Sequence, residues 1–274
     1  MASSNIRQAV WAGKFYPASA QGIRKIISGF IGDSQKPKID AFACMVPHAG
    51  YVYSGKVAVE TISRINIKEK VILFGPNHTG IGADFAVAAK GAWLTPLGRL
   101  DIDTKLAVDL LESSGYLKDD LSAHAQEHSL EVELPILQYF RNNFTIVPIA
   151  FMSDDFNALR KIGEDIAAVI KKNNLQDKVL LVASSDMTHY ESQKQAETKD
   201  KKAIEAVLNL DPEGLSKEVA GNNITMCGVS PVIAMLSAAK SLGAKCAELV
   251  KYQTSADVTG DRNEVVGYAG ILVR

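Results

Sequence analysis

The chain has 274 residues, with 30 Lys and Arg against 31 Asp and Glu, and its 47% hydrophobic and 22% charged content is that of a globular domain with a sizeable core. The net charge of −1 and scattered basic residues exclude the basic stripe that nucleic-acid binding needs, and no run of eighteen apolar residues offers a membrane span. Cys44, Cys227 and Cys246 are an odd, widely spaced set, which argues against a secreted disulfide framework. With no leader-like pattern near Met1, a cytoplasmic protein is expected.

In chain order, a helical period over residues 21–31 precedes an apolar strand run at 40–46, and a second helical stretch follows at 55–65. Strand runs at 70–74 and 85–89 lead to a helix at 104–113, for which Asp103 offers an N-cap and Gly115 a stop. A helical period over 127–142 is followed by a strand at 145–151, a helix at 157–173 and a strand at 178–183. The polar stretch 191–202 reads as the start of a solvated helix. A helix at 230–242, begun near Ser230 and stopped by Gly243, and strands at 247–253 and 265–273 complete the chain. Strands alternating with helices predict an α/β fold, with a mostly parallel central sheet covered by helices on both faces. No linker, repeat or low-complexity tract divides the sequence, so residues 1–274 are expected to form one domain.

Three of the five histidines follow strand ends at once. His48 comes after Val46-Pro47, His78 after Gly75-Pro76-Asn77, and His189 after Ser184-Ser185-Asp186-Met187-Thr188. Open α/β sheets build their sites at the carboxyl ends of strands, so these three are expected to converge there. A single histidine after a strand is commonly only a loop residue bonded to backbone; the threefold repetition favours a functional cluster. His124 and His128 are spaced i, i+4, but Ala125 stands where a zincin carries Glu. The expectation is that His128 walls the pocket and His124 lies on the surface. The Gly75–Gly82 segment lacks the spacing of a nucleotide-binding loop, so no nucleotide cofactor is expected. Ser184 and Ser185 do not sit in a nucleophile elbow.

Taken jointly, several motifs resemble the Memo family, known in prokaryotes as protein B of the AmmeMemoRadiSam system. They are Trp11-Ala12-Gly13-Lys14-Phe15-Tyr16-Pro17, Pro47-His48-Ala49-Gly50-Tyr51 with Tyr53-Ser54-Gly55, Gly75-Pro76-Asn77-His78, Glu127-His128-Ser129-Leu130-Glu131, Ser185-Asp186-Met187-Thr188-His189-Tyr190 and Met226-Cys227-Gly228. The family is similar in fold to class III extradiol dioxygenases, which hold iron(II) with two histidines and a carboxylate and use a further histidine as acid/base.

That resemblance implies His48 and His78 as metal ligands, His189 as the acid/base group, and Asp186 as its orienting partner or an outer-shell residue. Cys227 falls where the dioxygenases use Glu, and a thiolate shifts the expected single metal toward copper, zinc or thiolate-ligated iron. Tetrahedral ligand atoms would stand roughly 3.5–4 Å apart. The open side is expected under loops carrying Tyr51 or Tyr53, and these two, Asn77 and His128 are the candidate ligand contacts. Cys44, Cys246 and Met226 are expected to stay out of the pocket. The function implied is a metal-dependent oxidoreductase, with iron or copper, acting on an unidentified small substrate. The alternative is a non-catalytic protein that binds metal or peptide in the same pocket. Expected partners are a small-molecule or peptide ligand and AmmeMemoRadiSam companion proteins.

Overall fold

The computed structural model describes residues 5–31 and 37–274. Its main sheet is laid down by strands buried along nearly their whole length. These are β2 (Ala43–Val46), β3 (Lys70–Pro76), β8 (Thr145–Phe151) and β9 (Val179–Ser184), following β1 (Ile6–Arg7) and the strands β4 (Phe85–Val87), β5 (Ala92–Thr95), β6 (Gly98–Asp101) and β7 (Lys118–Asp119). The period of two sorts them: Cys44, Val46, Val71, Leu73, Leu180 and Val182 enter one core, whereas Met45, Ile72, Phe74, Leu181 and Ala183 enter the other. Runs apolar on both faces read as continuous hydrophobic strands, which is the pattern of a sheet covered twice.

The remaining strands are β10 (His189–Glu191), β11 (Ala247–Thr254) and β12 (Val265–Val273). Among the described residues they complete a nine-stranded sheet ordered β10-β12-β2-β9-β3-β8-β4-β7, with β11 also paired to β12. The central four strands, β2, β9, β3 and β8, are parallel. The expected mostly parallel sheet therefore holds for the centre, but the flanks differ. β12 runs antiparallel to β2, β10 and β11, and β4 antiparallel to β8, so the sheet is mixed. The short connection between β11 and β12, residues 255–264, permits their antiparallel pairing, whereas the other antiparallel pairs of this sheet join strands distant in the chain.

One face is covered by α1 (Ala20–Ile31), α2 (Tyr51–Ser63) and α4 (Glu133–Phe140). The other carries α3 (Thr104–Ser113), α5 (Phe156–Lys172), α6 (Gln193–Leu208), α7 (Pro212–Gly221) and α8 (Val229–Leu242), and the short α9 (Ala256–Thr259) precedes β12. Asp103 caps α3 through Leu106 N, and Gly243 ends α8 at φ 109°. Ser230 lies in the first turn of α8, whose cap is Gly228. The helical period expected over 127–142 is realised only from Glu133, which leaves 127–132 as a turn beneath β3. Pro135 is tolerated because it falls in the first turn, where its missing N–H has no partner to lose. No described helix is long and apolar enough to cross a membrane.

Candidate metal centre

Because β2, β9 and β3 are adjacent and parallel, the loops that leave their carboxyl ends meet at one edge of the sheet. His48 leaves β2, His78 leaves β3, and Asp186 and His189 leave β9. The segment ahead of α8 brings Cys227 against them. Together with Phe15, Tyr53, His128, Tyr190, Thr225, Val266 and Tyr268, these groups line a cavity of about 580 Å³. His48, His78 and Cys227 each offer a ligand atom within 4.8 Å of the others. His48 Nε2 lies 3.2 Å from Cys227 Sγ.

Each imidazole is held from behind. His78 donates its backbone N–H to Glu127 Oε2 (2.5 Å) and pairs its Nδ1 with Glu127 Oε1 (2.9 Å). Glu127 is fully buried, and burial alone would raise its pKa. The His78 hydrogen bond, the His78 and His128 charges and the Ser129 N–H outweigh that and bring it down to about 2. The carboxylate therefore accepts from Nδ1–H and leaves Nε2 of His78 bare, the arrangement common behind metal-binding histidines. His48 is 2% exposed, and its Nδ1 lies 2.6 Å from Ser184 Oγ. His189 sets Nδ1 2.9 Å from the Thr225 carbonyl, which can only accept, so its Nε2 is also free.

Asp186 is not the orienting partner of His189. Its Oδ1 accepts from His48 N (2.9 Å) and Ala49 N (3.3 Å), tying the β2 loop to the β9 loop, while its own N–H reaches Cys227 Sγ (3.3 Å). Thr225 instead positions His189, accepting its N–H at Oγ1 (2.7 Å) as well as bonding its ring. Burial raises the Asp186 pKa, opposed by His189 and by the two backbone donors. Burial and the Asp186 charge push the Cys227 thiol up. Burial and the neighbouring His78, His128 and His189 push His48 down.

The β10 strand meets β12 with a bulge between His189 and Glu191, and Tyr190 between them sits at φ 58°. The bulge turns His189 toward the cavity and leaves Tyr190, 74% exposed, on its rim. Tyr53, 42% exposed, is the rim residue contributed by α2. Tyr51 is not a ligand contact. It begins α2, is buried, and donates its hydroxyl to Val132 O. Helix α2 starts here, four residues ahead of the expected position, and so turns Tyr51 inward.

Asn77 also stays out of the cavity lining. Its Nδ2 donates to Ile81 O, and its Oδ1 accepts from Thr79, which closes the turn after β3. His124, expected on the surface, is 1% exposed and packs on Trp93, with Nε2 near Ala86 O (3.1 Å), because residues 122–124 form a tight turn under β4. Cys44 is buried within β2, Cys246 is exposed, and neither lines the cavity; nor does Met226.

His128 stands on the cavity wall, its ring stacked on His78 at 4.5 Å between centroids and tilted against Phe15 at 4.6 Å. Burial lowers its pKa to about 4, with Glu127 opposing and His78 reinforcing. His78, Glu127 and His128 also satisfy a metal-like spacing. Glu127 Oε1, however, already accepts from His128 N (2.9 Å) and Ser129 N (2.8 Å), so its lone pairs are spent inside the protein. Sequence reasoning missed Glu127, Ser184 and Thr225. The signal available for Glu127 was a carboxylate directly beside a histidine.

Gly228 is what lets Cys227 approach. A Cβ there would collide with Ser184 O, Ser185 Cβ and Ser185 Oγ, and Gly228 N donates to that same hydroxyl (3.0 Å). Gly228→Ala is expected to cost about 1–3 kcal/mol by overpacking against backbone and to weaken metal binding with it. Chemical denaturation and metal titration check this, and an unchanged denaturation midpoint would show that the loop yields freely.

Comparison with known proteins agrees in extent with these features. Residues 7–272 match the family described as Memo-like protein. A MEMO1 family protein of Methanopyrus kandleri is 42% identical over 98% of this chain and 99% of its own length. One from Aquifex aeolicus is 41% identical over 97% and 98%. Among solved structures, uncharacterized protein JW3007 from Escherichia coli K12 superposes with a TM-score of 0.51 at 14% identity. The match covers 82% of this chain and 98% of that one, a likeness of fold alone.

Proposed function

The chain belongs to the Memo family, and we propose that it is a metal-dependent oxidoreductase in which His48, His78 and Cys227 hold one metal ion, iron or copper, beside His189. The observation that supports this reading is the convergence of three ligand atoms within 4.8 Å, with His78 Nε2 turned outward by a buried carboxylate. Two neutral imidazoles and a sulfur suit copper, zinc or thiolate-bound iron. Such a metal, when bound, supplies Lewis-acid or one-electron chemistry to a ligand at its open position. The chain's own groups do the rest. Thr225 fixes the His189 ring so that Nε2 can take a proton from the ligand and return it. Phe15, Val266 and Tyr268 contribute apolar surface to the cavity lining, and the exposed Tyr53 and Tyr190 lie at its rim.

A second reading, a metal- or peptide-binding protein without turnover, draws on that rim, where Tyr53 and Tyr190 offer exposed aromatic surface. Companion proteins of the AmmeMemoRadiSam system are the partners to test for either reading. His189→Ala decides between them. The oxidoreductase reading expects wild-type metal content with turnover reduced about 10²–10⁴-fold, measured as O₂ or substrate consumption by iron- or copper-loaded protein. Ligand binding by the wild type, with no consumption in any metal form, would establish the second reading.

A further inference from the structure

Behind His48, on the side away from the cavity, a buried polar chain ends in a carboxyl group that the proposed chemistry does not use. Ser184 Oγ has three polar neighbours besides its own backbone: His48 Nδ1 at 2.6 Å, Ser129 O at 2.8 Å and Glu133 Oε1 at 3.2 Å. Ser184, Ser129, Glu133 and His48 are all at most 2% exposed. A hydroxyl has one proton to give. The Ser129 carbonyl can only accept, and it is nearer than Glu133, so the Ser184 proton goes there.

That choice fixes the other two. His48 Nδ1 must carry hydrogen and donate to Oγ, which leaves Nε2 as the bare nitrogen facing Cys227 Sγ. Glu133 then faces an oxygen that offers it no proton, and it has no cationic partner among the described residues. An ionised carboxylate in that position would be buried and uncompensated, which is far more costly than a neutral acid. With its proton on Oε1, Glu133 donates to Ser184 Oγ, and Oε2 becomes a carbonyl oxygen. The structure indeed leaves Oε2 buried without a partner. An unpaired acceptor is tolerated better than an unpaired donor or charge. Burial at the start of α4, opposed by the Ser184 hydrogen bond and reinforced by the nearby Asp186, pushes the Glu133 pKa well above the usual carboxylate range.

We propose that Glu133 is a positioning residue: it donates a hydrogen bond to Ser184, and the Glu133–Ser184 pair locks His48 in the tautomer that carries hydrogen on Nδ1 and turns bare Nε2 to the cavity. The role given to His48 Nε2 rests on the metal-centre reading above, whereas the tautomer itself does not. The arrangement differs from that of His78, where the backing group is an ionised carboxylate in direct contact. At His48 the backing is neutral and acts through a hydroxyl, so a neutral donor should replace Glu133 without loss.

The test is ¹⁵N-imidazole spectroscopy on the metal-free full-length chain, with the His48 signal assigned by its loss in His48→Ala, followed by zinc(II) titration against a chromophoric chelator. The wild type is expected to show His48 Nε2 as the unprotonated nitrogen. Ser184→Ala and Glu133→Leu are expected to shift it toward the other tautomer and to weaken zinc binding about 10–100-fold, the usual cost of losing a group behind a metal ligand. Glu133→Gln, whose amide can donate to Ser184, is expected to restore both readouts. An unchanged His48 spectrum in Ser184→Ala would overturn the proposal, and this variant decides the matter even if Glu133→Leu does not fold. A Glu133→Gln protein as impaired as Glu133→Leu would overturn it too, because it would make Glu133 a charged acceptor. Failure of the wild type to bind metal would count against the metal-centre reading alone, since the tautomer is read without metal.

Discussion

Substituting alanine singly for His48, His78 or Cys227 is expected to lower metal occupancy from about one ion per chain to a small fraction under the same loading. Tight structural zinc sites bind with roughly 10–16 kcal/mol spread over four donors. One donor is then worth about 3 kcal/mol, or ~100-fold in affinity. The three substitutions should be comparable, because each removes one of three ligand atoms that lie within 4.8 Å of one another. Cys246→Ala is the matched control: that thiol is exposed and outside the cavity lining. Metal analysis after anaerobic, reducing purification and reloading with iron(II), copper or zinc gives the result directly. Equal occupancy in the wild type and all three variants would remove the assignment and leave a histidine cluster of another purpose.

The frame of this site is legible in the sequence because strand ends are. Pro47, Gly75-Pro76 and Ser184-Ser185 interrupt apolar runs, and a histidine follows each break. Once β2, β9 and β3 are parallel neighbours, the three loops have nowhere else to go. What was not legible is which side chains back the imidazoles. Glu127 lies in a stretch whose apolar spacing reads as the start of a helix. The structure delays α4 to Glu133 and uses the freed turn to fold Glu127 beneath His78. His124 was misplaced for a related reason: spacing of i, i+4 from His128 presumes a continuous helix, and a tight turn at 122–124 buries its ring against Trp93 instead.

Asp186 shows a further limit of sequence distance. Three residues before His189, it invites pairing with that ring, yet extended backbone and the bulge at Tyr190 separate the two roles. Asp186 organises the His48 and Cys227 loops, and Thr225 from a remote segment holds His189. The flanking antiparallel strands were equally hidden, since alternation of apolar runs fixes neither strand order nor direction. Nor did it disclose Glu133, whose meaning depends on the three neighbours of a single hydroxyl.

Removing the Glu127 carboxylate should produce the largest change in stability among the residues around the cavity, and its pH dependence identifies the cause. Glu127 accepts from His78 N, His78 Nδ1, His128 N and Ser129 N while fully buried. Its pKa falls from the model-compound value of 4.5 to about 2 in the folded chain, a difference worth about 3 kcal/mol. A depressed folded-state pKa means that the unfolded chain takes up the proton first as pH falls. The stabilisation is therefore complete above the unfolded value and is lost progressively between about pH 5 and pH 2.

Glu127→Gln keeps the shape but removes the charge, so its denaturation free energy should lie below that of the wild type at pH 7 and converge on it as pH falls. The slope of stability against pH should be smaller by the equivalent of one proton over that window. Glu127→Ala should be worse at every pH, since it also leaves four N–H groups without their acceptor, of which the buried Ser129 N–H carries the full cost of about 1–3 kcal/mol. Metal affinity should drop about 10–100-fold in Glu127→Ala, because the His78 ring loses the acceptor that fixes its Nδ1–H, and less in Glu127→Gln, whose amide oxygen can still accept it. Urea denaturation of the metal-free proteins between pH 7 and pH 3 measures the first effect, and zinc titration at pH 7 the second. If the wild-type and Glu127→Gln stability curves ran parallel across that range, Glu127 would not be the ionised acceptor behind His78. The outward orientation of His78 Nε2 would then need another source.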